Sequence, residues 1–533
     1  MILALNPDQE VAANSIQGDY VVVAGPGSGK TAVFVQRFMR MISTHGIPVK
    51  DILNLTFTNS AATEMVERVG LADMKSVFRT FHSFALEILQ KERANLPFTL
   101  CDTIIPVRGE QFGLIKDLMK MYPPITTFNS LKDKIEEWQS ADKDPDQAIA
   151  ESYTAHGTEY FYASAYRDYE KKSREQGWLD FHGIMKETVK LLEGNEDVRS
   201  RWKRKYISVD ECQDTDTTQF RLLKLLYGGN IFVVGDENQL IYEWRSAQSG
   251  NLSSFGRTFP GAKTLYLGQN YRSTQRLVQF YKEILPVDNG IASHMVSMRE
   301  EGTSPTFTRF GDDIQEASIV LSCITDPAHS AVIARTNRQL MTFQKMCLGR
   351  GIKSSVLGRK NVWEQNEVRE LLDLTKEHSH DTRPAHIVMQ ELMERNNLIH
   401  RYRHTGSADE KDPVENLNDI IRMAGKRGTP KEFLAWLRKL TWGVKSDKKP
   451  SLSLTTVHQA KGREWKHVFV VGAKQGKMPH KDGELLEEHR IFFVACSRAA
   501  DTLDISWTGS ASQFLNDFKE RFEFYGEKRN QED

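Results

Sequence analysis

The sequence predicts an α/β protein built on parallel β-sheets, with helical insertions between the strands. Two observations support this fold class. Short apolar, β-branched runs recur along the 533 residues, and each is followed by a turn and a helical pattern. One of these runs enters a glycine-rich loop that ends in Lys30 and Thr31. Near-continuous apolar strands that alternate with helices are typical of parallel sheets covered on both faces.

The apolar runs fall into two groups, which predicts two α/β domains. The predicted strands are residues 20–24, 52–57, 206–209 and 231–234 in the first group, and 331–334, 452–457, 468–471 and 503–505 in the second. Two helix-rich stretches lack this pattern, so we interpret them as insertions. We expect a first core domain of 1–90 and 202–268 with an insertion of 91–201, and a second core domain of 269–375 and 450–533 with a short insertion of 376–449.

Charge and composition exclude several classes of protein. Basic and acidic residues number 71 each, so the formal net charge is zero. This balance excludes a strongly basic coat that binds nucleic acid without specificity, although a local basic groove stays open. No apolar run reaches the ~18–20 residues of a membrane span, and no secretory leader is visible. The five cysteines are scattered, which disfavours a disulfide framework. We therefore expect a cytoplasmic protein without a membrane partner.

The strongest motif is a P-loop that follows the first predicted strand. Gly27 and Gly29 let backbone N–H groups turn toward phosphate oxygens. Lys30 is expected to reach the β and γ phosphates of ATP, and Thr31 to bind Mg²⁺. The first position of the pattern is alanine instead of glycine, and a turn of an unrelated fold is the structural alternative. The predicted nucleotide-binding residues of the loop are Ala24, Gly25, Pro26, Gly27, Ser28, Gly29, Lys30 and Thr31.

Two adjacent carboxylates complete the predicted phosphate site. Asp210 and Glu211 follow the apolar run 206–209, at the strand end where ligands bind in α/β sheets. We expect Asp210 to hold Mg²⁺ and Glu211 to activate the attacking water, the two roles that phosphoanhydride hydrolysis requires. An acidic helix cap after a strand is the structural alternative. ATP and Mg²⁺ are the expected cofactors.

Eight further segments make the function more specific. Together, and in this order, they resemble the motifs of the UvrD/Rep family of superfamily 1A DNA helicases. The resemblance implies two RecA-like P-loop domains that bind ATP in the cleft between them. The segments are LNPDQ at 5–9, LTFTNSAATEM at 55–65, TFHSF at 80–84, DECQD at 210–214, VGDENQLIYEWRSA at 234–247, QNYRST at 269–274, VHQAKGRE at 457–464 and FVACSRA at 493–499.

The resemblance implies roles for individual residues. Arg272 and Arg498 would act as arginine fingers on the γ-phosphate, and Gln239 would sense that phosphate. Tyr271 would stack on adenine, Gln9 would read its edge, and Glu464 would touch the ribose. Surface arginines or a core tyrosine are the structural alternatives. The predicted catalytic set is Lys30, Asp210, Glu211, Gln239, Arg272 and Arg498.

The same resemblance, together with residue type, predicts contacts to single-stranded DNA. Phe57, Tyr242 and Trp244 are the expected stacking residues, because aromatic rings hold bases without regard to sequence. Core aromatics and ordinary polar loops are the structural alternatives. The expected contacts to the DNA backbone are Thr58, Asn59, His82, Arg245, Thr456 and His458.

The sequence departs from the family pattern in two informative places. Ala32 stands where the family often has an arginine that sandwiches adenine, so a cation–π contact is absent. The second insertion is short and lacks the Gly-Ile-Gly helix–hairpin–helix that contacts duplex DNA in the family.

We expect an ATP-driven helicase that translocates on single-stranded DNA, with 3′-to-5′ polarity implied by the family, and that unwinds duplex DNA. The nearest alternative is a translocase that strips bound proteins or serves a nuclease complex and unwinds little alone. A non-catalytic scaffold and a small-molecule kinase are weaker alternatives. The expected partners are single-stranded and tailed duplex DNA and a repair, replication or nuclease protein. A monomer or weak dimer is the expected state.

Overall fold

A computed structural model of the chain divides it into two compact units. The first unit comprises Met1–Gly268 and Asn289–His294, and the second comprises Gln269–Asp288 and Met295–Asp533. The structure describes residues 5–71, 74–101, 108–122, 125, 127–154, 157–241, 252, 255–358, 362–402, 413–441 and 451–524.

The first unit is built on a six-stranded sheet in the order β3-β2-β4-β5-β1-β6. All five strand pairs in it are parallel, which confirms the predicted fold class. The P-loop strand β1 lies between β5 and β6. The strands are β1 (Tyr20–Ala24), β2 (Ile52–Thr56), β3 (Phe78–Thr80), β4 (Arg204–Val209), β5 (Tyr227–Gly235) and β6 (Lys263–Leu267).

The described residues before residue 268 form twelve helices, which cover this sheet or extend from it. Helices α5 to α10 lie between β3 and β4 in the chain. The helices are α1 (Pro7–Asn14), α2 (Lys30–Ser43), α3 (Asn59–Val69), α4 (Phe81–Lys91), α5 (Arg108–Met121), α6 (Phe128–Ser140), α7 (Pro145–Thr154), α8 (Thr158–Glu175), α9 (Phe181–Gly194), α10 (Glu196–Trp202), α11 (Thr217–Leu226) and α12 (Phe255–Thr258).

Successive residues of a strand are buried on opposite faces of this sheet. Val21 packs with residues of α4 and α9 on one face, whereas Val22 packs with residues of α1 and α2 on the other. Because successive side chains in a strand point to opposite sides, a strand that is covered twice must be apolar throughout. This explains why β1 appears in the sequence as an unbroken apolar run.

The second unit is built on a seven-stranded parallel sheet and a small two-stranded sheet. The large sheet has the order β11-β12-β10-β13-β14-β9-β15, and β7 pairs with β8. The strands are β7 (Gln269–Asn270), β8 (Val296–Ser297), β9 (Thr306–Phe310), β10 (Ser330–Ala334), β11 (Ser354–Val356), β12 (Leu452–Thr456), β13 (Trp465–Val470), β14 (Ala499–Thr508) and β15 (Phe522–Phe524).

Helices follow these strands, and five of them form a separate bundle. Helix α14 (Ile291–His294) belongs to the first unit. Helices α17 to α21 contribute to one shared apolar core. The helices are α13 (Gln275–Glu283), α14, α15 (Asp313–Cys323), α16 (Asn337–Arg350), α17 (Asn366–Glu377), α18 (Ala385–Arg395), α19 (Leu398–Tyr402), α20 (Pro413–Ala424), α21 (Pro430–Thr441), α22 (Val457–Ala460) and α23 (Leu485–Cys496).

The structure adds strands that the sequence pattern did not reveal. Strands β3 and β11 have three residues each, and β6 is exposed over its first two residues. Short or half-exposed strands do not produce a continuous apolar run, so periodicity misses them. The predicted strand 452–457 is one residue too long, because Val457 is the first residue of α22. None of the helices in the described ranges is long and apolar enough to cross a bilayer.

Candidate active site

The P-loop occupies the turn between β1 and α2. Gly27 and Gly29 have φ angles of +67° and +78°, a left-handed conformation that favours glycine. The hydroxyl of Ser28 donates to the carbonyl of Gly25 at 2.8 Å, which tightens the loop. The Lys30 ammonium makes no hydrogen bond or ion pair with any residue in the described ranges. The loop therefore presents a cation at a helix N-terminus, an arrangement that suits phosphate.

Gln9 braces the P-loop from the preceding helix. Its Nε2 donates to the carbonyl of Ser28 at 2.9 Å. Its backbone and side chain also form a reciprocal capping box with Asn6 at the start of α1. A Cβ at Gly29 would lie 2.8 Å from Gln9 Nε2, so a larger residue there would displace the Gln9 amide from Ser28, in addition to the strain of the positive φ. Thr31 lies in the first turn of α2 and is partly exposed.

Asp210 is a buried carboxylate at the end of β4. It is 5% exposed, and its Oδ1 has no hydrogen-bond partner among the described residues. Burial raises the pKa of Asp210 to about 7; the charge of Glu211 acts in the same direction, and that of Lys30 opposes it. An unpaired buried carboxylate is costly, so this position suits a residue whose partner is a cation. Asp210 and Thr31 fit the predicted Mg²⁺ site on this ground.

Glu211 begins a hydrogen-bonded network that reaches Gln239. Its backbone is left-handed, with φ +51°, and its Oε2 accepts from Gln213 Nε2 at 2.5 Å. Gln213 Oε1 accepts from the backbone N–H of Asp236 at 3.0 Å. Asp236 Oδ2 in turn accepts from Gln239 Nε2 at 2.7 Å. We call these four residues the Glu211–Gln239 network.

The network joins the ends of two neighbouring strands. Glu211 and Gln213 follow β4, whereas Asp236 and Gln239 follow β5, and these strands are paired. Gln213 and Asp236 are 1% exposed, and burial raises the pKa of Asp236 while Lys30 lowers it. We predicted Glu211 and Gln239 from the sequence but missed both residues that connect them. Their positions inside the segments 210–214 and 234–247 were the available signal.

In the second unit, Arg272 and Arg498 converge on Ser497. The Nη1 of Arg272 donates to the Ser497 carbonyl at 3.1 Å, and the Nη2 of Arg498 donates to the Ser497 hydroxyl at 2.9 Å. Arg272 Nε also donates to Glu464 Oε2 at 2.5 Å. The structure thus brings three sequence-predicted residues together at the C-terminus of α23. Tyr271, the residue before Arg272, is 45% exposed, and its hydroxyl donates to Gln269.

Arg498 is far more buried than a surface arginine. Only 2% of it is exposed, and its Nε donates to the carbonyl of Val494 at 3.0 Å. Its Nη1 lies 3.4 Å from the carbonyl of Arg463. These contacts hold the guanidinium in one orientation, so Arg498 has a structural role in the second unit whatever its role toward ATP.

The predicted DNA contacts in the first unit lie at the start of two helices. Thr58 caps α3 by accepting from the Ala61 N–H at 3.1 Å, and Asn59 is the first residue of that helix. Phe57 is partly exposed, directly after β2. His82 lies in the first turn of α4, with its ring edge-on to Phe181 at 5.5 Å. Burial lowers the pKa of His82, and the nearby His182 adds to this effect.

The remaining predicted DNA contacts are only partly described. In the second unit Thr456 is the last residue of β12, and His458 lies in α22. Tyr242, Trp244 and Arg245 lie outside the described residues.

The first unit joins a parallel sheet to a P-loop, with a buried carboxylate and a second carboxylate at the end of a neighbouring strand, and the second unit is also built on a parallel sheet. These features define the class of P-loop proteins with two RecA-like units. The family model of the UvrD/REP helicase N-terminal domain matches residues 5–260. The model of the UvrD-like helicase C-terminal domain matches residues 265–383 and 373–510. The chain belongs to the UvrD/REP helicase family.

Curated relatives are similar to this chain over nearly its whole length. The ATP-dependent DNA helicase PcrA of Bacillus subtilis (strain 168) is 25% identical, over 94% of this chain and 82% of the relative. The ATP-dependent DNA helicase Rep of Escherichia coli (strain K12) is 26% identical, over 96% of this chain and 92% of the relative. A PcrA of Staphylococcus epidermidis is 26% identical, over 95% of this chain.

Proposed function

We propose that this chain is an ATP-dependent DNA helicase that moves along single-stranded DNA and separates duplex strands. The observation that supports this most strongly is the Glu211–Gln239 network beside the P-loop. A protein that used ATP only as a structural ligand would not need a carboxylate positioned to activate water. The names of the relatives favour strand separation over the alternative of a translocase that strips proteins.

The first unit is assigned the binding of ATP. The backbone N–H groups of Gly27, Ser28 and Gly29 would surround the phosphates, and the Lys30 ammonium would neutralise the β and γ groups. Thr31 and the orphaned Oδ1 of Asp210 are the groups that would hold Mg²⁺. A bound Mg²⁺ would supply charge neutralisation at the phosphate oxygens.

Glu211 is assigned the role of general base, which accepts the proton of the attacking water. The amide of Gln213 holds one carboxylate oxygen, which fixes the direction of the other. Asp236 connects Gln213 to Gln239. A displacement of Gln239 by the γ-phosphate would therefore change the orientation of the Glu211 carboxylate. We infer that this network couples the presence of the γ-phosphate to hydrolysis.

The second unit is assigned charge stabilisation and base recognition. Arg272 and Arg498 act on the transferring phosphoryl group, an effect worth about 10³–10⁵ in rate for arginine fingers. Tyr271 stacks on adenine, Glu464 touches the ribose, and Gln9 of the first unit reads the adenine edge. The loop residues Ala24, Pro26 and Ser28 complete the nucleotide contacts.

Single-stranded DNA is assigned to the segments around Phe57 and His458. Phe57 stacks on a base, and the backbone contacts come from Thr58, Asn59, His82, Thr456 and His458. Tyr242, Trp244 and Arg245 remain predicted contacts on the ground of sequence alone. The 3′-to-5′ polarity, the cytoplasmic location, the monomer or weak dimer and the four-part division of the chain also remain predictions.

Strand displacement on a 3′-tailed duplex, with ATP hydrolysis measured in parallel, tests the proposal. A 5′-tailed duplex of the same sequence is the control substrate. We expect ATP-dependent displacement of the 3′-tailed duplex only. Hydrolysis stimulated by single-stranded DNA without displacement of either duplex would instead support the stripping translocase.

A further inference from the structure

The small two-stranded sheet of the second unit has one buried face and one exposed face. On the buried face, Asn270 is 1% exposed, and its Oδ1 accepts from the N–H groups of Arg272 and Ser273. Ser297 pairs with Asn270 and donates its hydroxyl to the Ser273 carbonyl. Because successive strand residues point to opposite sides, the neighbours of Asn270 and Ser297 in the chain point outward.

The outward face of this sheet carries Tyr271, Val296 and Met298. Val296 and Met298 are each 53% exposed, and Tyr271 is 45% exposed. The described part of the second unit exposes only three other large hydrophobic side chains, which are Ile314, Ile387 and Leu485. A patch that collects half of these side chains marks a surface that binds an apolar group.

The strand register brings the three outward side chains together. Val296 pairs with Gln269 in the parallel ladder, and the Met298 N–H continues the ladder by donating to the Asn270 carbonyl at 2.9 Å. The Tyr271 hydroxyl donates to Gln269 Oε1 at 2.9 Å, so the phenol ring lies on the side of the sheet that Val296 occupies. We call Tyr271, Val296 and Met298 the β7–β8 platform.

The β7–β8 platform combines a flat ring, a thioether and a hydrogen-bond donor. The donor is Gln269 Nε2, which donates to no residue in the described ranges. Aromatic side chains stack on bases, and methionine fits an aromatic surface through its flexible chain and polarizable sulfur. A purine matches this combination, because its ring faces are apolar and its ring nitrogens accept hydrogen bonds.

Ala32 changes how this chain can hold adenine. It stands where the family often has an arginine that sandwiches the base, and its methyl group cannot make a cation–π contact. The affinity that such an arginine supplies must come from other side chains or be lost. Met298 and Val296 can supply it, since they lie on the same face of the sheet as Tyr271.

We propose that Met298 and Val296 extend the adenine contact of Tyr271, so that this chain binds the base of ATP on the β7–β8 platform instead of between a tyrosine and an arginine. The proposal rests on the proposed function, because Tyr271 is assigned to adenine there. Met298 determines the affinity for the base and leaves the phosphates to the P-loop.

Calorimetric titration of the full chain and of Met298→Ser tests the β7–β8 platform. The two ligands are the magnesium complexes of adenylyl imidodiphosphate, a non-hydrolysable ATP analogue, and of inorganic tripolyphosphate, which has no base. We expect the Kd for the analogue to rise about 3-fold to 10-fold in the variant, the range of a lost sulfur–aromatic contact. The Kd for tripolyphosphate and the kcat at saturating ATP should keep their wild-type values.

Met121→Ser is the matched control, because Met121 is also 53% exposed but lies in α5 of the first unit. It should leave both dissociation constants unchanged. An unchanged affinity of Met298→Ser for the analogue would overturn the proposal, and so would an equal loss of affinity for the analogue and for tripolyphosphate. If Met298→Ser lost affinity for the analogue alone but the wild type showed no DNA-stimulated hydrolysis, the proposed function would fail while the platform stood.

Discussion

The side-chain amide of Gln213 donates a 2.5 Å hydrogen bond to the carboxylate of Glu211, two residues earlier in the chain. The left-handed backbone at Glu211 turns the chain so that both side chains meet. The other end of the same amide accepts from Asp236. One buried glutamine therefore connects the assigned base to the segment that carries Gln239.

Replacing Gln213 by methionine should lower kcat of the DNA-stimulated ATPase and leave KM for ATP nearly unchanged. Methionine has a similar length but cannot donate to Glu211, so the base loses its orientation. We expect a loss of about 10-fold to 100-fold, below the ~10²–10⁴ that a general base contributes. Steady-state kinetics with saturating single-stranded DNA measure both constants.

Gln219→Met is the matched control for this substitution. Gln219 is also buried, at 3% exposed, but it lies in α11 and outside the Glu211–Gln239 network. It should keep the wild-type kcat. Equal losses in the two variants would mean that buried glutamines act only on stability, and the positioning role of Gln213 would be rejected.

Gly29→Ala should weaken ATP binding strongly. The new Cβ would lie 2.8 Å from Gln9 Nε2 at a φ of +78°, so the Gln9 amide must give up its hydrogen bond to the Ser28 carbonyl. Gly46→Ala adds the same atom at φ +63° with no atom within 4 Å, and so carries only the cost of the left-handed conformation, about 1–2 kcal/mol in stability. Titration with a fluorescent ATP analogue compares the two. Similar affinities would show that Gln9 does not brace the loop.

Asp210 should make the ligand-free protein less stable as the pH rises. Its pKa is about 7 in the folded protein, above the usual value of about 4 for an unfolded chain. Between these values the folded state binds the extra proton, so stability falls with increasing pH through this window. Asp210→Asn removes the titration. The variant should melt at a higher temperature than the wild type at pH 8.

The difference in melting temperature between Asp210→Asn and the wild type should shrink toward pH 4. Thermal melts across pH 4–8 without nucleotide measure it. A constant difference over this range would show that Asp210 is not the titrating group.

Arg498→Lys should lower kcat by about 10³-fold or more, the range for a lost arginine finger. Lysine keeps the charge but loses the planar donors that contact Val494 and Ser497. Because Arg498 is buried, stability must be measured beside activity. Arg490→Lys is the control for burial, because Arg490 is 3% exposed in α23, the helix that ends just before Arg498. If Arg498→Lys and Arg490→Lys had equally lowered melting temperatures and equal ATPase rates, the catalytic role of Arg498 would be refuted.

The sequence allowed much of the site to be predicted, because a P-loop is a local motif. Asp210 stands directly after β4, and Lys30 follows the glycine-rich loop after β1, so the local sequence was enough to propose both residues. Gln213 and Asp236 were not predicted as a pair, since their contact depends on the pairing of β4 with β5, which is not visible in either segment. The burial of Arg498 was also not predictable, because it depends on tertiary packing, which includes a contact with the distant carbonyl of Arg463.

The most direct test of the central claim is the rate of ATP hydrolysis by the wild type and by Glu211→Gln, each with and without single-stranded DNA. Glutamine keeps the size of the side chain and removes the base. We predict that DNA stimulates the wild type and that Glu211→Gln binds ATP but hydrolyses it at least about 100-fold more slowly. A wild type that DNA does not stimulate, or a Glu211→Gln variant of full activity, would contradict the account.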